Sequence, residues 1–381
     1  MKRNNPQMMG NNMPGMQMNA PVKKKSGLLG RIVRRFFLLL FTIIILAVVA
    51  LGLVLDLVFN GPSESARKLL VMSLTEASAT KWVPGLFLDD ALVEEIRTNV
   101  EVVQMDDFSD SSQIVIDLSA AVTGDSDEWA AYPDGIKIEH FSGRTYDAHI
   151  MIIRDPSQVY MATSTENFSY NTPGTRITEE IENEGAIAAI NAGAFNDDGT
   201  ANTYVGSIPA GLVMAGGEVR SDTAYGYLNE EGFAGFNKDD VLVVAKSMTQ
   251  QQAIEQNIRD GCCFGPVLIM NGQVNQEAYN SASGYNPRTA IGQRADGTVL
   301  FLCIDGRQTN SLGGTYRDII DIMVEYGAVN ACNMDGGSSS VMLYRDTYGL
   351  YGQEGQVQMI NSYSVLQAEP RRMPNFWMVR P

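Results

Sequence analysis

Asn333-Met-Asp335-Gly336-Gly337-Ser338-Ser339-Ser340 follows the mostly apolar run Ala328 to Cys332. A buried strand that ends this way brings a carboxylate, approachable backbone N–H groups and hydroxyls to one rim, where a polar ligand can be held. A second aspartate follows its own apolar segment at Asp305-Gly306-Arg307-Gln308. Upstream lie Asn191-Ala-Gly-Ala-Phe195, Gly265-Pro266 and Asn286-Pro-Arg288-Thr289. The plainer alternatives are a surface loop at Asp335 and, at Asp305, a turn whose carboxylate pairs with Arg288 across two strands. Thr315, with Asp318 three residues on, reads as a helix cap rather than a nucleophile. Asn196-Asp-Asp-Gly199 lacks the spacing of a calcium loop and reads as a turn.

The elements that must position these groups are legible between Arg288 and Met334. If Asp296-Gly297 fill a two-residue turn, Ala295 pairs with Thr298, and Arg288 comes opposite Asp305. Ile319, Ile320, Met323 and Val324 then supply the apolar face of a helix that stops at Gly327. Strand, helix and strand in this order predict a β-α-β crossover. In a crossover, Asp305 and Asp335 leave the sheet at the same, carboxyl, end, where ligand sites of α/β units form. Further strands are predicted at Ala148 to Arg154, Val159 to Thr163, Ala186 to Asn191, Leu212 to Ala215, Val241 to Ala245 and Val267 to Met270, with a hairpin turn at Asn271-Gly272. The fold class is α+β, a mixed multi-stranded sheet core with few helices.

Taken in order, these motifs and the ending Glu369-Pro-Arg-Arg-Met-Pro-Asn375 resemble the phosphodiester glycosidase family over roughly Ile136 to Pro381. The family's first motif more often reads Asn-Gly-Gly-Phe-Phe, and here Ala192 and Ala194 depart from it. The resemblance implies cleavage between a sugar's anomeric carbon and a phosphodiester oxygen, on an N-acetylglucosamine-type sugar. Such a reaction needs a carboxylate beside the developing oxocarbenium carbon and cations on the phosphate. Asp335 is the first choice for that carboxylate, as nucleophile or as base for water, and Asp305 the second. Arg288 and Arg307 are the expected phosphate clamps, because a planar guanidinium pairs two oxygens at once. Thr289, Gly336, Gly337, Ser338 and Ser339 are expected to line the phosphate and sugar, Asn191 to bond the sugar, and Arg372 or its neighbour Arg371 to close the site. No cofactor is implied, and nothing in the sequence indicates a divalent ion.

Residues 1–35 hold eight bases and no acid, and Phe36 to Leu55 is an uncharged apolar run of 20 residues, long enough to cross a bilayer. The basic flank predicts a cytoplasmic N-terminus and an external remainder. A cleaved signal peptide ending near Ala47-Val-Val-Ala50 is the rival, against which the length of the apolar run argues. The expected organisation is therefore a disordered basic tail (1–35), a transmembrane helix (36–55), a helical stalk and acidic spacer (56–135) and a phosphodiester glycosidase domain (136–381). Within the spacer, Ser63 to Ser78 and Ala91 to Val100 read as helices and Ile114 to Leu118 as one strand. Beyond the tail, 20 bases face 44 acids, a net charge of −24 that should repel nucleic acid. With His140 and His149 the only histidines, a zinc site or a Ser-His-Asp triad is not expected. Cys262, Cys263, Cys303 and Cys332 could be buried thiols or disulfide partners. The expected partners are a sugar-phosphodiester of surface polysaccharides or glycoconjugates and the lipid bilayer. The alternative function is a non-catalytic module that binds anionic or phosphorylated glycans.

Overall fold

The computed structural model describes residues 28–75, 80–98, 105–116, 118, 129–196, 205–223, 232–363 and 369–381. Of the expected disordered tail (1–35), residues 1–27 lie outside them, as does the turn at Asp197 to Gly199, whereas residues 28–35 are helical and extend the apolar helix that follows. Three antiparallel sheets carry the body. The largest runs, edge to edge, Ile136–Ser142, Asp147–Ile153, Val299–Ile304, Arg288–Arg294, Ala328–Met334, Val267–Met270, Gln273–Val274. A second runs Glu218–Thr223, Gly211–Ala215, Ile258–Cys263, Phe233–Asn237, Leu242–Ala245, and a third Val357–Met359, Met342–Arg345, Ala188–Asn191, Asn375–Val379, Val159–Thr163.

Alternation along these strands divides the apolar residues between two faces. One set, including Met151, Phe301 and Met334 from the first sheet, Phe236 and Cys262 from the second, and Ile190 and Trp377 from the third, forms one continuous buried core. The opposite faces are covered by helices: Tyr316–Glu325 and Gln276–Asn280 on the first sheet, Gln250–Glu255 on the second, Ile177–Glu184 on the third. The four cysteines are free and buried, and burial raises their thiols, that of Cys263 to about 11.

The central hairpin differs from expectation by one residue. Arg288 pairs with Ile304 and Gln293 with Val299, so the register is one step short of Arg288 opposite Asp305. The loop holds three residues, Ala295-Asp296-Gly297, with Gly297 at φ +92° and the Arg294 N–H bonded to the Thr298 carbonyl. A one-residue slip sends side chains to the opposite face. Arg288 accordingly lies with Ile304 on the helix-covered side, and no cross-strand ion pair with Asp305 forms. The crossover itself is as expected. Val299–Ile304 and Ala328–Met334 are both antiparallel to the strand between them, hence parallel to each other, and Asp305 and Asp335 leave at the same edge. Thr315 and Asp318 make the reciprocal cap, and Ile322 replaces the exposed Val324 on the buried face of the helix.

Leu28–Phe59 is a helix, and its segment Val33–Phe59 is apolar enough to cross a membrane by length and composition. It contains the expected span 36–55. The helices Glu64–Thr75 and Asp90–Thr98 form near their expected places. The first packs directly on the body: Ser73 Oγ accepts the Tyr285 N–H at 3.0 Å, and a Cβ on Gly284 would lie 2.2 Å from Ser73 Cα. Ile114 to Ile116 form no strand, and Ser111–Gln113 is a short 3-10 turn instead. The residues just before it are part of the body too. Phe108 bridges Ala245, and Ser109 exchanges bonds with Val244, donating its N–H to the carbonyl and accepting the Val244 N–H on its hydroxyl, both at 3.0 Å.

Candidate active site

Asp335 stands one residue past its strand and is held by its own backbone. Its N–H donates to the Ala192 carbonyl at 3.0 Å, and its carbonyl accepts Asn191 Nδ2 at 2.5 Å. Oδ1 accepts the Gly336 N–H at 2.9 Å. The two glycines serve a close approach: a Cβ on Gly336 would meet the Pro287 carbonyl oxygen at 2.8 Å, and the Gly337 N–H, at φ +63°, donates to that same oxygen at 2.9 Å. Their N–H groups are therefore spent inside the turn, not presented as an anion cradle. The turn continues into Ser339 and Ser340, which are buried and whose hydroxyls have no hydrogen-bond partner among the described residues.

Asn191 is completely buried. Besides holding Asp335, its Oδ1 accepts the Thr289 hydroxyl at 2.8 Å and the Val341 N–H at 3.2 Å. The expected sugar contact is thus replaced by a bracing one, and Thr289, also fully buried, belongs to the brace. The first motif's departures are accommodated by its neighbours: Ala192 and Ala194 are buried, and the retained Gly193 has Cys262 and the Cys263 carbonyl within 2.9 Å of any Cβ.

Two guanidiniums lie on the Asp335 turn. Arg307, exposed and at φ +58°, donates from Nη2 to Asn286 Oδ1 at 3.1 Å, and its Nη2 would be 3.6 Å from a Cβ on Gly337. Arg371 donates from Nη1 to Ser338 Oγ at 3.4 Å and stacks 4.6 Å over the Phe195 ring. Tyr363 ties the same parts together, its hydroxyl donating to the Ser338 carbonyl at 2.6 Å and accepting the Arg371 N–H at 3.3 Å. The other two expected arginines point elsewhere. Arg288 is buried on the Gly284 and Gly314 carbonyls and over the Tyr316 ring. Arg372 reaches the Gly174 carbonyl and Glu179.

Asp305 is 2% exposed and works as an anchor: both carboxylate oxygens accept the Ser362 N–H, at 3.0 and 3.1 Å. It and Asp335 cap strands with one strand between them, about 10 Å apart at the backbone. Burial pushes the Asp305 pKa up to about 6, with hydrogen bonds from Ser362 and Asn361 opposing the rise and Asp147 adding to it. His149 Nε2 lies 3.8 Å away, but burial and the neighbouring His140 lower its pKa to about 4. The pair at neutral pH is a carboxylate beside a neutral imidazole.

Asp305 therefore carries a testable pH dependence. The folded chain holds this proton more tightly than the unfolded chain, so the group favours folding fully below about pH 4, and that contribution disappears as pH rises through about 6. The shift corresponds to roughly 3 kcal/mol. Urea unfolding of the parent and Asp305→Asn at pH 4 and pH 7.5 is expected to show the variant gaining on the parent at the higher pH. Parallel stabilities at both pH values would mean that Asp305 does not titrate there.

Sequence reasoning missed Tyr363, Phe195 and Ser362. Phe195 lay in a quoted motif, whereas Ser362 acts through its backbone N–H and leaves no residue-type signal. The model of the phosphodiester glycosidase family matches residues 184–380, a span that contains the Asn191, Asp305 and Asp335 turns and Arg371. The chain belongs to the phosphodiester glycosidase family. The family match begins later than Ile136, although Ile136–Ser142 and Asp147–Ile153 complete the largest sheet. A curated relative, the SPbeta prophage-derived uncharacterized protein YomE of Bacillus subtilis (strain 168), is 26% identical over 191 residues, 49% of this chain and 27% of that protein. This chain thus spans about a quarter of that relative's length. Among solved structures, the zebrafish N-acetylglucosamine-1-phosphodiester alpha-N-acetylglucosaminidase catalytic domain, auto-inhibited by its pro-peptide, is 17% identical with a TM-score of 0.49, over 65% of this chain and 82% of that one. A hypothetical protein from Synechocystis is 16% identical with a TM-score of 0.41, over 64% and 62%.

Proposed function

We propose that this protein is a membrane-anchored hydrolase that cleaves the glycosidic bond of a sugar-1-phosphodiester. The products are a free sugar of the N-acetylglucosamine type and a phosphate monoester. The observation that carries this reading is the Asp335 turn, a carboxylate braced from below by Asn191 and flanked by Arg307 and Arg371, in a chain of the phosphodiester glycosidase family.

The chemistry follows from the bond being broken. A phosphate monoester leaves with its negative charge well distributed, so the reaction needs less general-acid help than the loss of an alcohol. The cost lies at the anomeric carbon, where an oxocarbenium-like centre develops. Asp335 stabilises that centre, either by attacking it or by taking a proton from the water that does. Arg307 and Arg371 hold the phosphate and offset its growing charge. Asp305, buried at its Ser362 anchor, supports the wall of the site rather than the reacting atoms.

The helix Val33–Phe59 anchors the chain, and the basic flank before it keeps the N-terminus on the cytoplasmic side. The enzyme then works outside the cell, on surface polysaccharides or glycoconjugates. Product analysis of the full-length protein in detergent, given an N-acetylglucosamine-1-phosphodiester, tests the reading. Free reducing sugar with a phosphate monoester is expected. A sugar phosphate would indicate cleavage on the phosphorus side, and a folded protein that binds several such glycans without product would be a recognition module.

A further inference from the structure

We infer that the helix Glu64–Thr75 is a positioning element of the Asp335 site, and that Ser73 acts on the Asp335 turn through the segment Gly284-Tyr285-Asn286-Pro287-Arg288. This rests on the reading of Asp335 as the reacting carboxylate, and it gives the stalk a part in turnover.

The segment meets the helix at one end and the turn at the other. On the helix side, Ser73 Oγ accepts the Tyr285 N–H at 3.0 Å, and a Cβ on Gly284 would lie 2.2 Å from Ser73 Cα and 2.3 Å from its backbone nitrogen. On the turn side, the Pro287 carbonyl accepts the Gly337 N–H at 2.9 Å. Pro287 is also wedged between the glycines that follow the two aspartates. A Cβ on Gly306 would meet the Pro287 nitrogen at 2.7 Å, and one on Gly336 its carbonyl oxygen at 2.8 Å. In between, Asn286 Oδ1 accepts Arg307 Nη2 at 3.1 Å. Tyr285 to Pro287 thus bridge stalk and site with at most about 10 Å of chain.

This bridge is stiff. Asn286 and Gly314 exchange backbone bonds at 3.0 and 3.2 Å, and a Cβ on Gly313 would meet the Asn286 backbone at 2.5 Å. Arg288, expected as a phosphate clamp, is instead a strut of the segment: Nη2 donates to the Gly284 carbonyl at 2.9 Å and Nε to the Gly314 carbonyl at 3.2 Å. Pro287 fixes its own φ and restricts the residue before it. Backbone packed directly on backbone leaves no side-chain rotamer to absorb a shift, so a displacement at Ser73 is passed on to the carbonyl that holds Gly337. The helix is fixed at its other end too, where Arg67 donates from Nε and Nη2 to the carbonyls of Phe59 and Gly61, at 2.5 and 3.0 Å.

The test is steady-state hydrolysis of an N-acetylglucosamine-1-phosphodiester by the full-length protein in detergent, paired with hydrogen exchange of the peptide that spans Gly336 to Ser340. Ser73→Ala removes the acceptor of the Tyr285 N–H and is expected to lower kcat about three- to tenfold. Gly284→Ala forces helix and segment apart by about 1 Å and is expected to lower kcat about 100-fold, the effect of a misplacement of that size. In both variants KM should stay within about twofold of the parent, and exchange of the turn should quicken. Lys68→Gln, an exposed change on the same helix, should leave kcat, KM and exchange as they are. A helix that only stiffened the body would lower the melting temperature and leave kcat, measured well below it, at the parent's value. Unchanged kcat in both folded variants of an active enzyme therefore overturns the inference and leaves the proposed function standing. Faster exchange of the turn in both variants of a protein that hydrolyses no sugar-1-phosphodiester would support the link from Ser73 to the turn and reject the reaction.

Discussion

Asp335→Asn is expected to lower the turnover of a sugar-1-phosphodiester by about 10³-fold or more, in line with removing a group that reacts directly. The change exchanges one oxygen for nitrogen in a side chain of the same shape. Its Oδ1 can still accept the Gly336 N–H, and the backbone bonds to Ala192 and Asn191 do not involve the side chain at all. Stability should consequently stay within about 0.5 kcal/mol of the parent, as for substitutions that disturb no packing. Initial rates of sugar release, set beside thermal melts of the same preparations, give both readouts. Undiminished turnover in a folded variant would remove Asp335 from the mechanism.

Asn191→Ala should do a different kind of damage. It strips partners from the Asp335 carbonyl, the Thr289 hydroxyl and the Val341 N–H in a wholly buried place. Each stranded group costs about 1–3 kcal/mol, and with partial relaxation the total is expected near 3–5 kcal/mol. Because the loss frees the backbone that carries Asp335, kcat should fall while KM changes little. A residue that merely touched the sugar would behave in the opposite way, raising KM with the melting temperature unchanged. Steady-state kinetics below the variant's melting range distinguish the two.

Much of the frame around these residues was legible beforehand, since it depends on local rules. The helix over Tyr316–Glu325 announced itself by its cap and its spacing, and the parallel pair of strands that flank it placed both aspartates at one edge. The hairpin register was legible only to within one residue, because Asp296-Gly297 suits a two-residue turn and a three-residue loop alike. That single step moved Arg288 to the wrong face of the sheet. The choice between Arg371 and Arg372 was equally closed to sequence reasoning. Adjacent residues diverge in extended chain, and which of them faces the turn depends on the pairing of Arg372–Met373 with Thr175–Arg176, a contact nearly 200 positions distant in sequence. Asn191 was found as a motif and misread in role, since a buried amide and a ligand-facing amide have the same letter.

The segment before the first strand of the largest sheet also bears on how the protein behaves in solution. Leu242–Ala245 is an outer strand of the second sheet, with backbone groups directed away from its one neighbour. Gln293 and Asn330 occupy those of Leu242, and Ser109 occupies those of Val244. A chain trimmed to begin at Ile136 would keep the first pair of plugs and lose the second. It would present an unpaired apolar edge, the kind of surface on which separate molecules join strand to strand. The segment that carries Phe108 and Ser109 is in this sense a guard against self-association.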